Sequence, residues 1–223
     1  MSENNAHKDF FVKHGVKIVV GVVVLLVLAA LVSQMSQSSK LAEKTQAEYL
    51  GKSLSLIYQG KDAEALEELE DLLQSNKLKA LSLSKAALLA GNIHYKNGSF
   101  DKAEALFKKS LNNTSNVDLI SAAAMHGLAS VAIEQKNYAL AAEQLEKFVL
   151  KYGKRTGDLS DRYTKNEGVD PVPSVPDALW KLSLVYYEMG NADKAKSSAE
   201  LLLKRYGDSQ LYSDRAKKFL ASL

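Results

Sequence analysis

The chain has 223 residues, 46% of them hydrophobic, which is enough for one domain of ordinary size plus an accessory segment. Its 29 basic and 26 acidic side chains leave a formal charge of +3, a mixed surface that does not read as a nucleic-acid footprint. With no cysteine, disulfides, a lipid-modified cysteine and thiolate metal sites are excluded, and with its 3 prolines confined to 171, 173 and 176 the rest of the chain is free to form long helices.

Residues 18–32 read IVVGVVVLLVLAALV, a run without a polar side chain. As a helix it covers about 22 Å, short of the roughly 30 Å hydrocarbon core of a bilayer. Val16 and Lys17 extend it on one side, Ser33 and Met35 on the other, and Phe10 and Phe11 suit an interfacial position. Three readings are open: an uncleaved signal anchor, a cleaved signal peptide and a buried core helix. The length and flanks favour an anchor over residues 16–37. Lys8, Lys13 and Lys17 precede it, and Lys40 and Lys44 follow it. That bias predicts a cytoplasmic tail at 1–15, with residues 40–223 on the far side of the membrane.

Beyond the run, helices are predicted near 40–59, 62–75, 80–97, 100–112, 118–136, 138–152, 177–189, 192–206 and 209–222. They come in pairs with a common signature. Gly60 leads to Ala65, Gly98 to Ala103, Lys136 to Ala141 and Gly190 to Ala195. The alanines are 38, 38 and 54 residues apart, the last interval being the same period with 16 residues inserted. A glycine at a helix end takes the left-handed conformation at little cost, and a small alanine lets two antiparallel helices approach. Leu69, Phe107 and Leu145 continue each stripe four residues on, with Ala199 the smaller counterpart. The segment 153–175 breaks the period and, with its Gly, Asp, Ser, Lys and Pro, reads as an inserted surface loop. The last helix, with Leu211, Tyr212, Ala216, Phe219 and Leu220, reads as a cap on the final pair.

This pattern resembles the tetratricopeptide repeat family. The second unit carries it best, with Ala90, Gly91, Tyr95, Gly98, Phe100, Ala103, Phe107 and Leu111; the third has Leu128, Ala129, Tyr138, Ala141, Leu145 and Phe148. The fourth has Leu179, Leu182, Tyr186, Gly190 and Ala195, and the first is degenerate. The family's closing proline is absent and the period is longer. The resemblance implies an all-α fold, a right-handed solenoid of about four helix pairs, which follows the transmembrane helix read from residues 16–37.

Motifs for chemistry are missing. His7, His14, His94 and His126 fall in no metal-ligand spacing, and no phosphate loop, dinucleotide fingerprint or nucleophile elbow is present. The acidic residues Glu64, Glu67, Glu68, Glu70 and Asp71 read as a solvated helix face. No catalytic residue, cofactor, metal, nucleic acid or small-molecule substrate is therefore predicted. What the resemblance implies instead is a binding surface on the first helix of each pair. Carried over residue by residue, it comprises Leu54 and Ile57, Asn92 and Tyr95, then His126, Ser130 and Ile133, and lastly Trp180, Leu184 and Tyr187. Such a mixture of aromatic, aliphatic and amide groups suits an extended or helical polypeptide.

The N-terminal layout, with Asp9-Phe10-Phe11-Val12-Lys13-His14-Gly15 running into a valine-rich anchor, is similar to the YfgM-type ancillary subunits of the Sec translocon. That resemblance implies a single-pass protein of the bacterial inner membrane with a periplasmic repeat domain. Its implied partners are SecYEG and periplasmic chaperones, and its implied role is to assist exported proteins. The helix ends Tyr152-Gly153 and Tyr206-Gly207 also resemble the repeat domain of the Tol-Pal cell-division coordinator, which would imply an envelope scaffold.

Overall fold

A computed structural model describes residues 44–114, 117–157 and 168–223. The expected tail and anchor, residues 1–37, lie outside them. The chain divides into two compact units, Met1–Glu48 and Tyr49–Leu223. Of the first, only residues 44–48 are described; they are helical and carry an ion pair between Lys44 and Glu48 at 3.9 Å. Among the described residues no helix is long and apolar enough to cross a membrane.

The second unit holds nine described helices and no strand among its described residues. They are α1 (49–58), α2 (Asp62–Gln74), α3 (Ala80–Lys96), α4 (Phe100–Asn113), α5 (Asp118–Glu134), α6 (Tyr138–Tyr152), α7 (Val175–Glu188), α8 (Ala192–Tyr206) and α9 (Gln210–Leu220). From α2 onward each helix packs on the next in chain order, and α3 also meets α5. This is a stack of helix pairs, as the 38-residue period predicts.

The turn inside each pair is built the same way four times. At the first, the Gly60 N–H donates to the Ile57 carbonyl at 3.0 Å and the Lys61 N–H to the Leu56 carbonyl at 2.9 Å. Two crossed bonds of this kind close a helix through a left-handed residue. Gly60, Gly98 and Gly190 supply it with φ of 75°, 72° and 71°, and Lys136 does so with φ of 57° despite its side chain. The next helix then starts without delay. In the last two pairs an asparagine caps it, Asn137 accepting from the Leu140 N–H at 3.3 Å and Asn191 from the Lys194 N–H at 3.1 Å.

Ala65, Ala103, Ala141 and Ala195 are all fully buried. Leu69, Phe107, Leu145 and Ala199 are buried one turn further on. Each large one contributes roughly 1.5–3 kcal/mol by leaving water. Helix α5 is apolar around most of its circumference because it packs on α3, α4 and α6 together.

The inserted segment departs from a plain surface loop. Val172 and Val175 are buried in the core formed by α5 to α9. Helix α7 therefore begins at Val175, two residues before the predicted start, with Pro176 in its first turn, where the missing N–H is harmless. Nor is the acidic face of α2 wholly solvated. Glu68 pairs with Lys52 of α1, and Glu70 Oε1 lies 3.1 Å from Nε2 of the buried His94 on α3.

Candidate functional site

Two adjoining cavities run along α3, α5 and α7, the first helices of successive pairs. The first, about 460 Å³, is lined by Asn92 and Tyr95 of α3 and by Leu119, Ala122, Ala123, His126, Gly127 and Ser130 of α5. Phe107 of α4, residues 172–174 and Lys181 of α7 complete it. The second, about 490 Å³, holds Tyr95, Ser130, Ile133, Glu134, Tyr138, Trp180, Leu184, Glu188 and Arg215. Tyr95, Ser130 and Lys181 line both, so the two form one groove. The helices place these side chains together because residues three and four apart share a face, and α3, α5 and α7 recur at the same place in each pair.

Of the predicted binding residues, Asn92 and His126 line the first cavity, Ile133, Trp180 and Leu184 the second, and Tyr95 and Ser130 both. Leu54, Ile57 and Tyr187 line neither. Leu54 is half exposed on α1, and Ile57 packs on the core shared by α1, α2 and α3. Tyr187 meets the edge of Phe219 at 5.8 Å between ring centres. Helix α9 packs on α7 at that end and takes up the face that a further repeat would otherwise meet.

The polar groups of the groove are organised around Asp177. Its Oδ2 lies 2.9 Å from His126 Nε2 and 3.4 Å from Lys181 Nζ. Lys181 Nζ also donates to Ser130 Oγ at 2.9 Å. The His126 ring, assisted by Lys181 and opposed by burial, holds the Asp177 carboxyl below its usual value. Across the groove the Tyr95 hydroxyl donates to Glu134 Oε1 at 3.0 Å; burial first, and then this carboxylate, push the phenol up to about 12. Trp180 stands edge-on to Phe219, ring centres 5.7 Å apart, with the Arg215 guanidinium 5.9 Å from the indole.

Phe107, Asp177, Lys181 and Arg215 were not predicted for the groove. Asp177 and Lys181 carry a readable signal, an acid four residues before a base on one helix. The contact from His126 to Asp177 spans 51 positions of the sequence and carries no such signal. Among the described residues no group of three or more His, Asp or Glu side chains is placed to hold a metal ion.

This architecture has known counterparts. Solved structures similar to this chain include a MamA double mutant (RS-1), at 17% identity and a TM-score of 0.57 over 79% of this chain and 84% of that one. Pseudomonas aeruginosa pilF aligns at 16% identity and a TM-score of 0.57 over 81% of this chain and 70% of that one. YrrB, a repeat protein with an unusual peptide-binding site, aligns at 16% identity and a TM-score of 0.53 over 78% of this chain and 75% of that one. At these identities the likeness is one of fold. No curated protein matches the chain. A tetratricopeptide repeat model matches residues 177–209, over the last helix pair. A tetratricopeptide repeat-like domain model matches residues 8–160, well over half the sequence, and the chain belongs to that family.

Proposed function

We propose that this chain is a non-enzymatic interaction module that binds polypeptide segments in the groove along α3, α5 and α7. The observation that carries the reading is the groove itself: two apolar cavities joined side by side, with polar groups between them. Their volumes, about 460 and 490 Å³, each suit apolar anchor side chains of a bound segment. The peptide-binding site of YrrB, on a similar fold, supports the same use here.

The finer assignment rests on the N-terminal layout. Residues 16–37 anchor the protein in the bacterial inner membrane, with residues 1–15 cytoplasmic and the repeat domain, 40–223, periplasmic. The family match begins at residue 8 and so takes in the apolar run. In that position the module assists export or periplasmic folding of secreted proteins beside SecYEG, in company with periplasmic chaperones. Crosslinking in intact cells, followed by mass spectrometry of the captured proteins, tests this. Translocon subunits and newly exported proteins are the expected catch. Recovery of only cell-division or peptidoglycan proteins would replace the export reading with an envelope scaffold. A C-terminal alkaline phosphatase fusion should be active, and an inactive, stably expressed fusion would reverse the proposed topology.

A further inference from the structure

Residues 168–174 form a strap that leaves the inserted segment and runs into α7. Its anchor is Asp170. Oδ1 accepts the backbone N–H groups of Lys154 at 2.8 Å and Arg155 at 3.0 Å, and Oδ2 accepts the hydroxyl of Tyr206. The Arg155 guanidinium pairs with Asp208 and stacks on Tyr206, 4.7 Å from the ring centre. Two residues on, Val172 is buried in the core. A carboxylate holding three donors, with a buried side chain beside it, keeps a strap in one place. The consequence falls on the groove, because Val172, Pro173 and Ser174 line its first cavity.

The rest of that cavity is shaped for one large guest. Ala123, small and exposed, leaves space that a bulkier residue would fill, and the Phe107 ring forms part of the apolar lining. Beside His126, the Lys181 ammonium lines the cavity, and no carboxylate does. Asp177, which contacts both, lines the second cavity instead. The Lys181 ammonium has three N–H groups and is engaged by Ser130 and Asp177, so one donor is left for a ligand.

We propose that the strap makes the first cavity a subsite for one bulky apolar side chain carried next to a carboxylate in the bound polypeptide, with Asp170 as its positioning residue. This rests on the groove being a polypeptide site, as proposed above. The apolar side chain packs on Phe107 and against Val172 and Pro173, and the carboxylate meets the Lys181 ammonium.

The test uses the full chain purified in detergent and labelled Gly/Ser-rich peptides with a central Phe-Glu, Ala-Glu or Phe-Lys. Phe-Glu should bind about 10-fold more tightly than Ala-Glu, the worth of burying an aromatic ring in part, and several-fold more tightly than Phe-Lys. Ala123→Trp, at an exposed helical position, should fill the cavity and remove most of the Phe-Glu affinity. Asp170→Ala should abolish the preference for Phe over Ala while helical circular dichroism is kept. Asp170→Asn, which retains an oxygen for the two backbone donors, should restore much of that preference. Should Asp170→Ala unfold, the Ala123→Trp result decides. Equal affinity for the three peptides, or indifference to Ala123→Trp, would overturn the subsite; if Leu184→Ala still weakens binding, the groove survives. Failure of every peptide to bind would overturn groove and subsite together.

Discussion

The ring of Phe107 on α4 lies so close to Gly127 on α5 that a Cβ at 127 would stand 2.8 Å from its Cε2 and Cζ. On its other side, a Cβ at Gly91 of α3 would stand 2.9 Å from Cδ1 and Cε1. One aromatic ring thus wedges between two first helices at the only residue type that leaves it room. The same ring lines the first cavity of the groove.

Gly127→Ala should therefore destabilise the domain. Overpacking costs about 1–3 kcal/mol, against about 1 kcal/mol gained in helix propensity, for a net loss of up to about 2 kcal/mol. Gly91→Ala together with Gly127→Ala should cost more than the sum of the two, because the ring then yields to neither side. Urea unfolding of the single and double variants measures both. Stability at or above wild type in the double variant would show that Phe107 has another resting place.

The repeated turns make opposite predictions at equivalent positions. Gly98→Ala forces a side chain into a φ of 72° and should cost about 1–2 kcal/mol. Lys136 already bears that strain at φ 57°, so Lys136→Gly should stabilise by up to about 1 kcal/mol. Shifts of the same sign in thermal unfolding would remove the equivalence of the two turns.

Asp177 makes the domain acid-sensitive. Its folded-state pKa lies below the unfolded value of about 3.9, so the unfolded chain binds the proton first. The stabilisation is complete above that value and is lost as pH falls through the lower, folded one. The Asp208 carboxyl, held down by Arg155, acts in the same direction. Asp177→Asn should accordingly be less stable than wild type at pH 7, with the difference shrinking below about pH 4. Urea midpoints at pH 7, 5 and 3 give the comparison, and a constant difference would exclude the linkage.

Trp180 has a second role besides lining the groove. Its edge contact with Phe219 holds α9 on α7. Trp180→Ala should weaken ligand binding and also loosen α9, at about 1–3 kcal/mol for a partly buried ring. Hydrogen exchange over residues 210–220 should rise selectively. Leu184, which lines the second cavity, is the cleaner probe of binding.

Much of this molecule is legible in the chain alone. The spacing of Ala65, Ala103, Ala141 and Ala195 predicts the helix pairs, and all four alanines are fully buried. The turns are legible for the same reason: each is a local structure, closed by bonds between residues a few positions apart. Of the residues expected to bind, Asn92, Tyr95, His126, Ser130, Ile133, Trp180 and Leu184 line the two cavities, where the repeat carries over unchanged. At the two ends the cavities leave out Leu54, Ile57 and Tyr187. Ile57 turns to the core of α1–α3, and Tyr187 is met by the capping helix.

What sequence periodicity determines is which residues share a helix face and how the pairs repeat, because a helix converts spacing directly into direction. It says nothing of contacts between residues far apart in the chain. The inserted segment shows the limit: its composition reads as a surface loop, yet Asp170 reaches Tyr206, 36 positions away, and Val172 enters the core. Phe107 against Gly127, His126 against Asp177 and the strap along the first cavity were likewise decided only when the helices stacked. Those meetings depend on how the pairs pack against one another, a relation that no local spacing encodes.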